Sequence, residues 1–256
     1  MEVHHKPKPF HNWRELLTEL TIVVLGVGIA LGAEQTVEWL HWQHRVADAS
    51  RAIELELRDD DGPAFYIRAA AVTCFEQKLD GIHKAIEEGR PRAETIALIR
   101  QYAPPSYIFD RNAWDTVLAG DVASHVVPEK MIRWGYIYSY VVGLNEVQDK
   151  ESDNLTALNP IHQSGDKLSA GEADAMLAAV ARLRTNNRSI SVRGGIALRF
   201  MQSAGISLTQ AQKSRILGDL RSVYPGCVVE PSTSNLTIDT YLTAASQALK
   251  RKTAQP

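Results

Sequence analysis

Cysteine is nearly absent: Cys74 and Cys227 are the only two in 256 residues, which excludes a disulfide framework and any paired CxxC metal or redox motif. Two cysteines permit a single bridge if their domain lies in an oxidising compartment, and otherwise serve as two small buried hydrophobes. HExxH, GxSxG and Walker A sequences are also missing, so zinc-peptidase, serine-hydrolase and P-loop chemistry have no motif to rest on. Charge of one sign is missing as well. With 28 Lys and Arg against 30 Asp and Glu, the formal net charge of −2 gives no whole-chain attraction for nucleic acid. No internal repeat or low-complexity tract is present. At 45% hydrophobic and 23% charged, the composition is that of an ordinary globular chain and excludes general disorder.

The sequence does contain one long apolar run, LLTELTIVVLGVGIALGA, from Leu16 to Ala33. As a helix rising about 1.5 Å per residue it spans roughly 27 Å, close to the hydrocarbon thickness of about 30 Å. Its Leu, Ile and Val residues favour insertion by about 3 to 6 kcal/mol on a scale of roughly 0.3 to 0.6 kcal/mol each. Glu19 and the glycines oppose this, although a glutamate one turn from the edge reaches the headgroups by snorkelling. Trp13 precedes the run and Trp39 and Trp42 follow it, where amphipathic rings favour the interface. Lys6, Lys8 and Arg14 lie ahead of it, whereas Glu34 and Glu38 follow, so the basic residues favour a cytoplasmic amino terminus. The small residues Gly26, Gly28, Ala30 and Gly32 fall at i, i+4 pairs and mark a face on which two such helices could pack as a homodimer.

Three other readings compete for the run. A cleaved signal peptide fits the small-x-small pair Ala30 and Gly32, but Glu19 interrupts the apolar region. A buried core helix fits the uncharged length Leu20 to Ala33, but Gly26, Gly28 and Gly32 weaken a water-soluble helix. A nucleotide-binding turn fits GVG, but Leu31 stands at the third glycine position of GxGxxG and no alternating strands and helices follow.

Beyond the run, Val37, Leu40, Val46, Ala49, Ile53 and Leu57 continue at helical spacing to DDDGP, Asp59 to Pro63, predicting one rod from about Trp13 to Arg58. Asp61 then caps, and Pro63 opens, a second helix ending near Gly89, whose stripe of Phe65, Ala69, Val72, Leu79, Ile82 and Ile86 would form an antiparallel hairpin with the rod. Pro91 starts a shorter helix with Ile96 and Ile99, terminated by Pro104 and Pro105. Asp110 caps a short helix bearing Trp114 and Leu118 that Gly120 stops, and Pro128 opens a long helix through WGYIYSYVVG. Trp134, Tyr136, Tyr138 and Tyr140 lie around much of that helix, predicting core packing more than a partner surface. Asn154 to Leu168 reads as a loop. Ser169 with Glu172, and Thr209 with Gln212, are capping boxes opening two more helices, the first passing Gly194 and Gly195 to Ala204. A turn-rich stretch from Val223 to Ser234, a short helix near Ile238 to Leu249 and a basic tail complete the chain.

The polar constellation with the clearest spacing follows the run. Glu34, Glu38 and His41 step by four and three onto one helix face. Glu38 and His41 form an ExxH pair of the kind that ligates metal in di-iron bundles, and Asp80 with His83 is the only similar pair; the ligand set is incomplete, so a polar collar at the membrane surface is preferred and neither a metal nor a cofactor is assigned. Ser164 with Lys167, and Ser152 to Asn154, mimic penicillin-recognising enzymes in the wrong order and in a loop, and are set aside. N-x-S/T sequons occur at Asn154, Asn187 and Asn235.

The run IVVLGVGIALGAEQTVEWLHWQH resembles the amino-terminal segment of an uncharacterised family of bacterial single-pass membrane proteins, in which a VLGxxIAL-like span leads into an acidic-Gln pair and a helical region. AWDTVLAGDVASHVVPEKMIRWGYIYSY is similar to the short-helix, Gly-Asp, Tyr-rich-helix segment that follows such anchors. The resemblance implies a topology and no activity.

These observations predict a mainly α protein: a short cytoplasmic amino terminus (1–15), a transmembrane helix (16–33), a stalk helix (34–61), an extracytoplasmic helical bundle (62–222), and a loop, short helix and basic tail (223–256). The expected setting is the bacterial inner membrane, single-pass, with the bulk of the chain periplasmic. The expected partners are the lipid bilayer, a second copy through the anchor, and a protein partner of unknown identity, with no nucleic acid. The leading functional expectation is an interaction or scaffold protein. The alternatives are a ligand-sensing or accessory subunit of a membrane complex with an aromatic pocket at Trp114, Trp134 and Tyr138, and a metal-dependent enzyme using Glu38 and His41.

Overall fold

A computed structural model describes residues 13–158 and 165–231, which form helices and connecting segments with no strand among them. The basic residues Lys6 and Lys8, Ser164, Asn235, the helix expected at 238–249 and the basic tail lie outside the described residues. Two units divide the chain, 1–48 and 49–256.

The first unit is helical from Trp13, within α1 (Trp13–Leu55). An 18-residue window of it has a mean hydropathy of 2.1 with none of the window buried, so this helix is long and apolar enough to cross a membrane. Ile22, Val24, Leu25 and Ile29 are all exposed, on every side of the helix. The three threonine hydroxyls along it donate to carbonyls one turn back: Thr18 to Arg14 at 2.9 Å, Thr21 to Leu17 at 2.7 Å and Thr36 to Gly32 at 2.7 Å. Each of these hydroxyl protons is thereby paired within the helix itself.

In the second unit the helical course does not stop at DDDGP. The chain passes from α1 through a π-helical stretch (Glu56–Asp61) into α2 (Gly62–Ala70), with Leu55, Asp61 and Gly62 all in right-handed helical conformation. Asp61 is therefore not a cap. It makes no side-chain capping bond and is 1% exposed. Pro63 supplies the physical reason for the wider turn: in a continued α-helix its ring would press on the carbonyl of Asp59, and an i→i+5 register relieves that clash. The Gly62 amide accordingly bonds the Leu57 carbonyl, five residues back. The hairpin expected at this point is absent, and Ile53 and Leu57, read as stalk, are fully buried in the second unit's core.

The second expected helix is broken at Ala71 into α2 and α3 (Val72–Glu87). Asn187 Nδ2 reaches the Val72 carbonyl at 3.2 Å beside the break. α4 (Arg92–Gln101) and α5 (Asn112–Ala119) match the expected short helices, but Arg111 rather than Asp110 occupies the start of α5, without a side-chain cap. The spine is α6 (Pro128–Leu158) against α7 (Ala170–Ser203). They run antiparallel: Arg133 donates to the Ser203 carbonyl, Tyr136 and Tyr140 stack on Phe200, and Arg182 reaches Asn154 at the far end. The expected loop thus begins later than Asn154, since α6 continues to Leu158. Both capping boxes form, at Ser169 with Glu172 and at Thr209 with Gln212, the latter opening α8 (Gln210–Val223).

α2 and α3 pack on α7, α4 on α3, and α8 on α2. At the α2–α7 crossing Gly194 lies against the Phe65 backbone, where a Cβ would stand 3.4 Å from the carbonyl oxygen, leaving room for a methyl but not for a branched side chain. Trp134 and Tyr138 are 1% and 2% exposed, so the aromatics of α6 do supply core, with Tyr136 and Tyr140 serving a second face toward α7.

Candidate functional site

Polar groups concentrate around the π-helical stretch and the extended segment 102–111 that leads into α5. Two prolines, Pro104 and Pro105, keep that segment out of a helix. Its backbone bonds are met by amide side chains of α6. Gln148 accepts from the Tyr107 amide at 2.9 Å and donates to the Tyr107 carbonyl at 2.6 Å. Asn145, one turn earlier, does the same for Phe109 at 3.3 and 2.9 Å. Each amide head reproduces the two bonds a neighbouring strand would make. Arg68 adds a bond to the Pro105 carbonyl at 3.1 Å and a bidentate pair with Glu151 at 3.0 and 2.7 Å, its guanidinium lying 5.2 Å from the Phe75 ring centroid. Its side chain is 1% exposed and that of Glu151 4%.

At the end of this segment sits the acidic turn. Glu56 Oε1 accepts from the Tyr138 hydroxyl at 2.5 Å and Oε2 from the Ala113 amide at 2.9 Å, fastening α6 and the start of α5 to the π-helical stretch. Burial, followed by the bond to Glu56, raises the Tyr138 phenol well above its ordinary range, so it stays a donor. Trp114 stacks on Tyr138 with ring centroids 5.4 Å apart. Asp61 Oδ1 accepts from the Asp110 amide at 3.3 Å, whereas Oδ2 is buried without a hydrogen-bond partner among the described residues. Burial first, then the neighbouring Glu56 carboxylate, pushes the Asp61 carboxyl up to about 8. Beside the turn is a cavity of about 480 Å³ lined by Glu56, Asp60, Asp110, Asn112, Thr116 and Val117 among others. Its polar rim is acidic.

A second feature closes the far end of the described chain. Cys74 and Cys227 are bridged, Cα to Cα 5.0 Å, joining α3 to the stretch after α8. The Val229 amide bonds the Ala70 carbonyl at 3.0 Å and the Tyr66 hydroxyl meets Glu230 at 3.5 Å, so residues 227–230 lie along α2. Tyr224 packs edge-on to Phe75 at 5.6 Å, beside a cavity of about 310 Å³.

The residues singled out in the sequence fall as follows. Gly26, Gly28 and Gly32 have open space where a Cβ would be, with Ala30 exposed between them. Glu34, Glu38 and His41 are exposed on α1, and the His41 ring contacts Trp42 at 6.0 Å. Among the described residues no three His, Cys, Asp or Glu side chains are grouped to hold a metal. Asp80 and His83 are engaged elsewhere, with Arg184 at 2.7 Å and Glu87 at 3.1 Å. Trp114 and Tyr138 are brought together, whereas Trp134 lies deeper in the core with the Lys130 ammonium 4.9 Å from its ring centroid. Asn187 is fully buried and bonded to Glu76, which removes it as a glycosylation acceptor. Sequence reasoning passed over Glu56, Asn145 and Gln148, and read Asp61 only as a helix cap. The signal for Asn145 and Gln148 was an amide pair at i, i+3 on a helix, with a proline-interrupted segment elsewhere in need of backbone partners. No family model, curated protein or solved structure matches this chain.

Proposed function

We propose that this is a single-pass protein of the bacterial inner membrane, with residues 16–33 as its span, its amino terminus cytoplasmic and its helical unit periplasmic. That unit serves as an interaction or scaffold module. The observation that carries the reading is the helix bearing a wholly unburied window of mean hydropathy 2.1. Exposed on all sides to water, such a surface would far exceed the apolar patches that monomeric soluble proteins tolerate; in lipid it is matched. The Cys74–Cys227 bridge supports the periplasmic side, since disulfides persist in oxidising compartments and are rare in the cytoplasm. Gly26, Gly28, Ala30 and Gly32 support association of two copies through the span.

A second reading, a ligand-sensing accessory subunit, is favoured by the 480 Å³ cavity, within the size range of small-molecule sites; Glu56 and Ala113 line it, but Trp114, Trp134 and Tyr138 do not. The experiment that tests the leading reading is protease protection. Protease added to spheroplasts should digest the helical unit and spare an amino-terminal tag; digestion confined to inside-out vesicles contradicts it. Capture from native membranes should then bring a stoichiometric protein partner, and recovery of the chain alone contradicts the scaffold role.

A further inference from the structure

Building on the reading of the helical unit as an interaction module, we propose that the outer edge of the extended segment 102–111 receives a short extended peptide of a partner protein, which pairs as a strand with Ser106 and Ile108, covers Ile108 with an apolar side chain and sends a basic one to Asp110. In an extended chain, successive residues turn their backbone groups to opposite edges and their side chains to opposite faces. Tyr107 and Phe109 turn theirs to α6, where Gln148 and Asn145 take both groups of each, and the Pro105 carbonyl accepts from Arg68 on the same edge. The backbone groups of Ser106 and Ile108 therefore face away, and neither residue makes a hydrogen bond among the described residues. Phe109 is buried, with its ring centroid 5.0 Å from that of Phe65, so its face is the core face. Ile108 points the other way and is 88% exposed, the most exposed large hydrophobic among the described residues.

The side of a helix has no spare donors and acceptors to match such an edge; an extended backbone has them at the same spacing. The open row is short. Pro104 and Pro105 have no N–H to extend it on one side, and on the other the Asp110 amide is already taken by Asp61 at 3.3 Å. Asp110 shares the outward face with Ile108 and, with Glu56 and Asp60, rims the cavity of about 480 Å³. None of these three carboxylates meets a cation among the described residues, and the neighbouring Arg111 is held by Asp115 at 2.6 Å. A second copy of the chain would bring the same acids to the edge, where like charges oppose pairing. A peptide with Lys or Arg two positions from its apolar residue meets them instead.

The test uses the full chain in nanodiscs holding one copy and, as probe, a short capped fluorescent peptide that alternates threonine with isoleucine, valine and lysine. Without it, the Ser106 and Ile108 amides should exchange with solvent freely while those of Tyr107 and Phe109 exchange slowly. The peptide should protect Ser106 and Ile108. N-methylating one alternate row of peptide amides should weaken binding about tenfold while the other row tolerates it, since only one row faces the edge. Ile108→Lys should weaken binding to a similar degree, and Asp110→Asn should weaken it less and reduce its dependence on salt; both residues are exposed, so both variants keep the fold. The proposal is overturned if the peptide leaves the two amides unprotected, if both N-methylated rows behave alike, or if lysine amide alone binds as well as the peptide. Protection of Ser106 and Ile108 without peptide in discs holding two copies makes a second copy the occupant and overturns it too. A partner captured from native membranes and retained by Ile108→Lys overturns this edge while leaving the scaffold role standing.

Discussion

Arg68 and Glu151 show what a buried charge demands of its surroundings. The pair is closed on both carboxylate oxygens, backed by the Phe75 face and shared with the Pro105 carbonyl, so much of its desolvation is offset, although the Arg68 Nε is buried without a hydrogen-bond partner among the described residues. Removing one member strands the other. Arg68→Met is expected to cost about 3–5 kcal/mol in denaturant unfolding, while Arg68→Met with Glu151→Leu should recover most of that loss. An Arg68→Met loss no larger than an exposed pair gives, about 0–1 kcal/mol, contradicts the buried-pair account. Asp61 is the opposite solution at the same scale: a carboxyl with no cation to meet it, which stays neutral by holding its proton.

At the scale of elements, α7 carries two adjacent glycines with different duties. Gly194 lies against the Phe65 backbone, and Gly195 has open space where a Cβ would stand. Gly195→Ala should therefore stabilise the chain by up to about 1 kcal/mol through helix propensity. Gly194→Val should destabilise it by about 1–3 kcal/mol by forcing α2 and α7 apart. Thermal unfolding of the two variants side by side checks both signs, and equal effects contradict the crossing described here.

The helix termini set by local chemistry were legible in the sequence: the Ser169–Glu172 and Thr209–Gln212 boxes, Pro128 at the start of α6, Gly120 after α5. These signals act within a few residues, so reading them needs no partner. DDDGP misled because its residues favour a turn in isolation, whereas the buried Ile53, Leu57 and Phe65 on either side make a continuous helical course with one widened turn the better tertiary solution. The apolar stripe told which face of α3 is buried, at Leu79, Ile82 and Ile86, but in α2 it caught Phe65 alone, and periodicity carries no information about the partner, so the packing of both on α7 was not accessible. Of the candidate site, Trp114 and Tyr138 were found as aromatics. Of the acids around them, Glu56 was missed and Asp61 and Asp110 were read only as helix caps, because burial, which gives Asp61 its character, is a property of the assembled fold.

At the scale of the whole molecule, the covalent link and the apolar helix dominate. The bridge spans 153 residues, and closing so long a loop restricts the unfolded chain by on the order of 5 kcal/mol on the entropic argument, with measured disulfides nearer 2–4 kcal/mol. Cys74→Ala with Cys227→Ala is expected to lower the denaturation midpoint accordingly, and an unchanged midpoint contradicts a bridge formed in the native protein. On the proposed reading, the apolar helix places the protein in a membrane. The most direct measurement is flotation of native membranes through a density gradient after alkaline carbonate washing, applied to the full chain and to a variant lacking residues 16–33. The full chain should float with the lipid and resist the wash, and the deleted variant should stay in the dense soluble fractions; a full chain released by carbonate, or a deleted variant that still floats, contradicts residues 16–33 as the span.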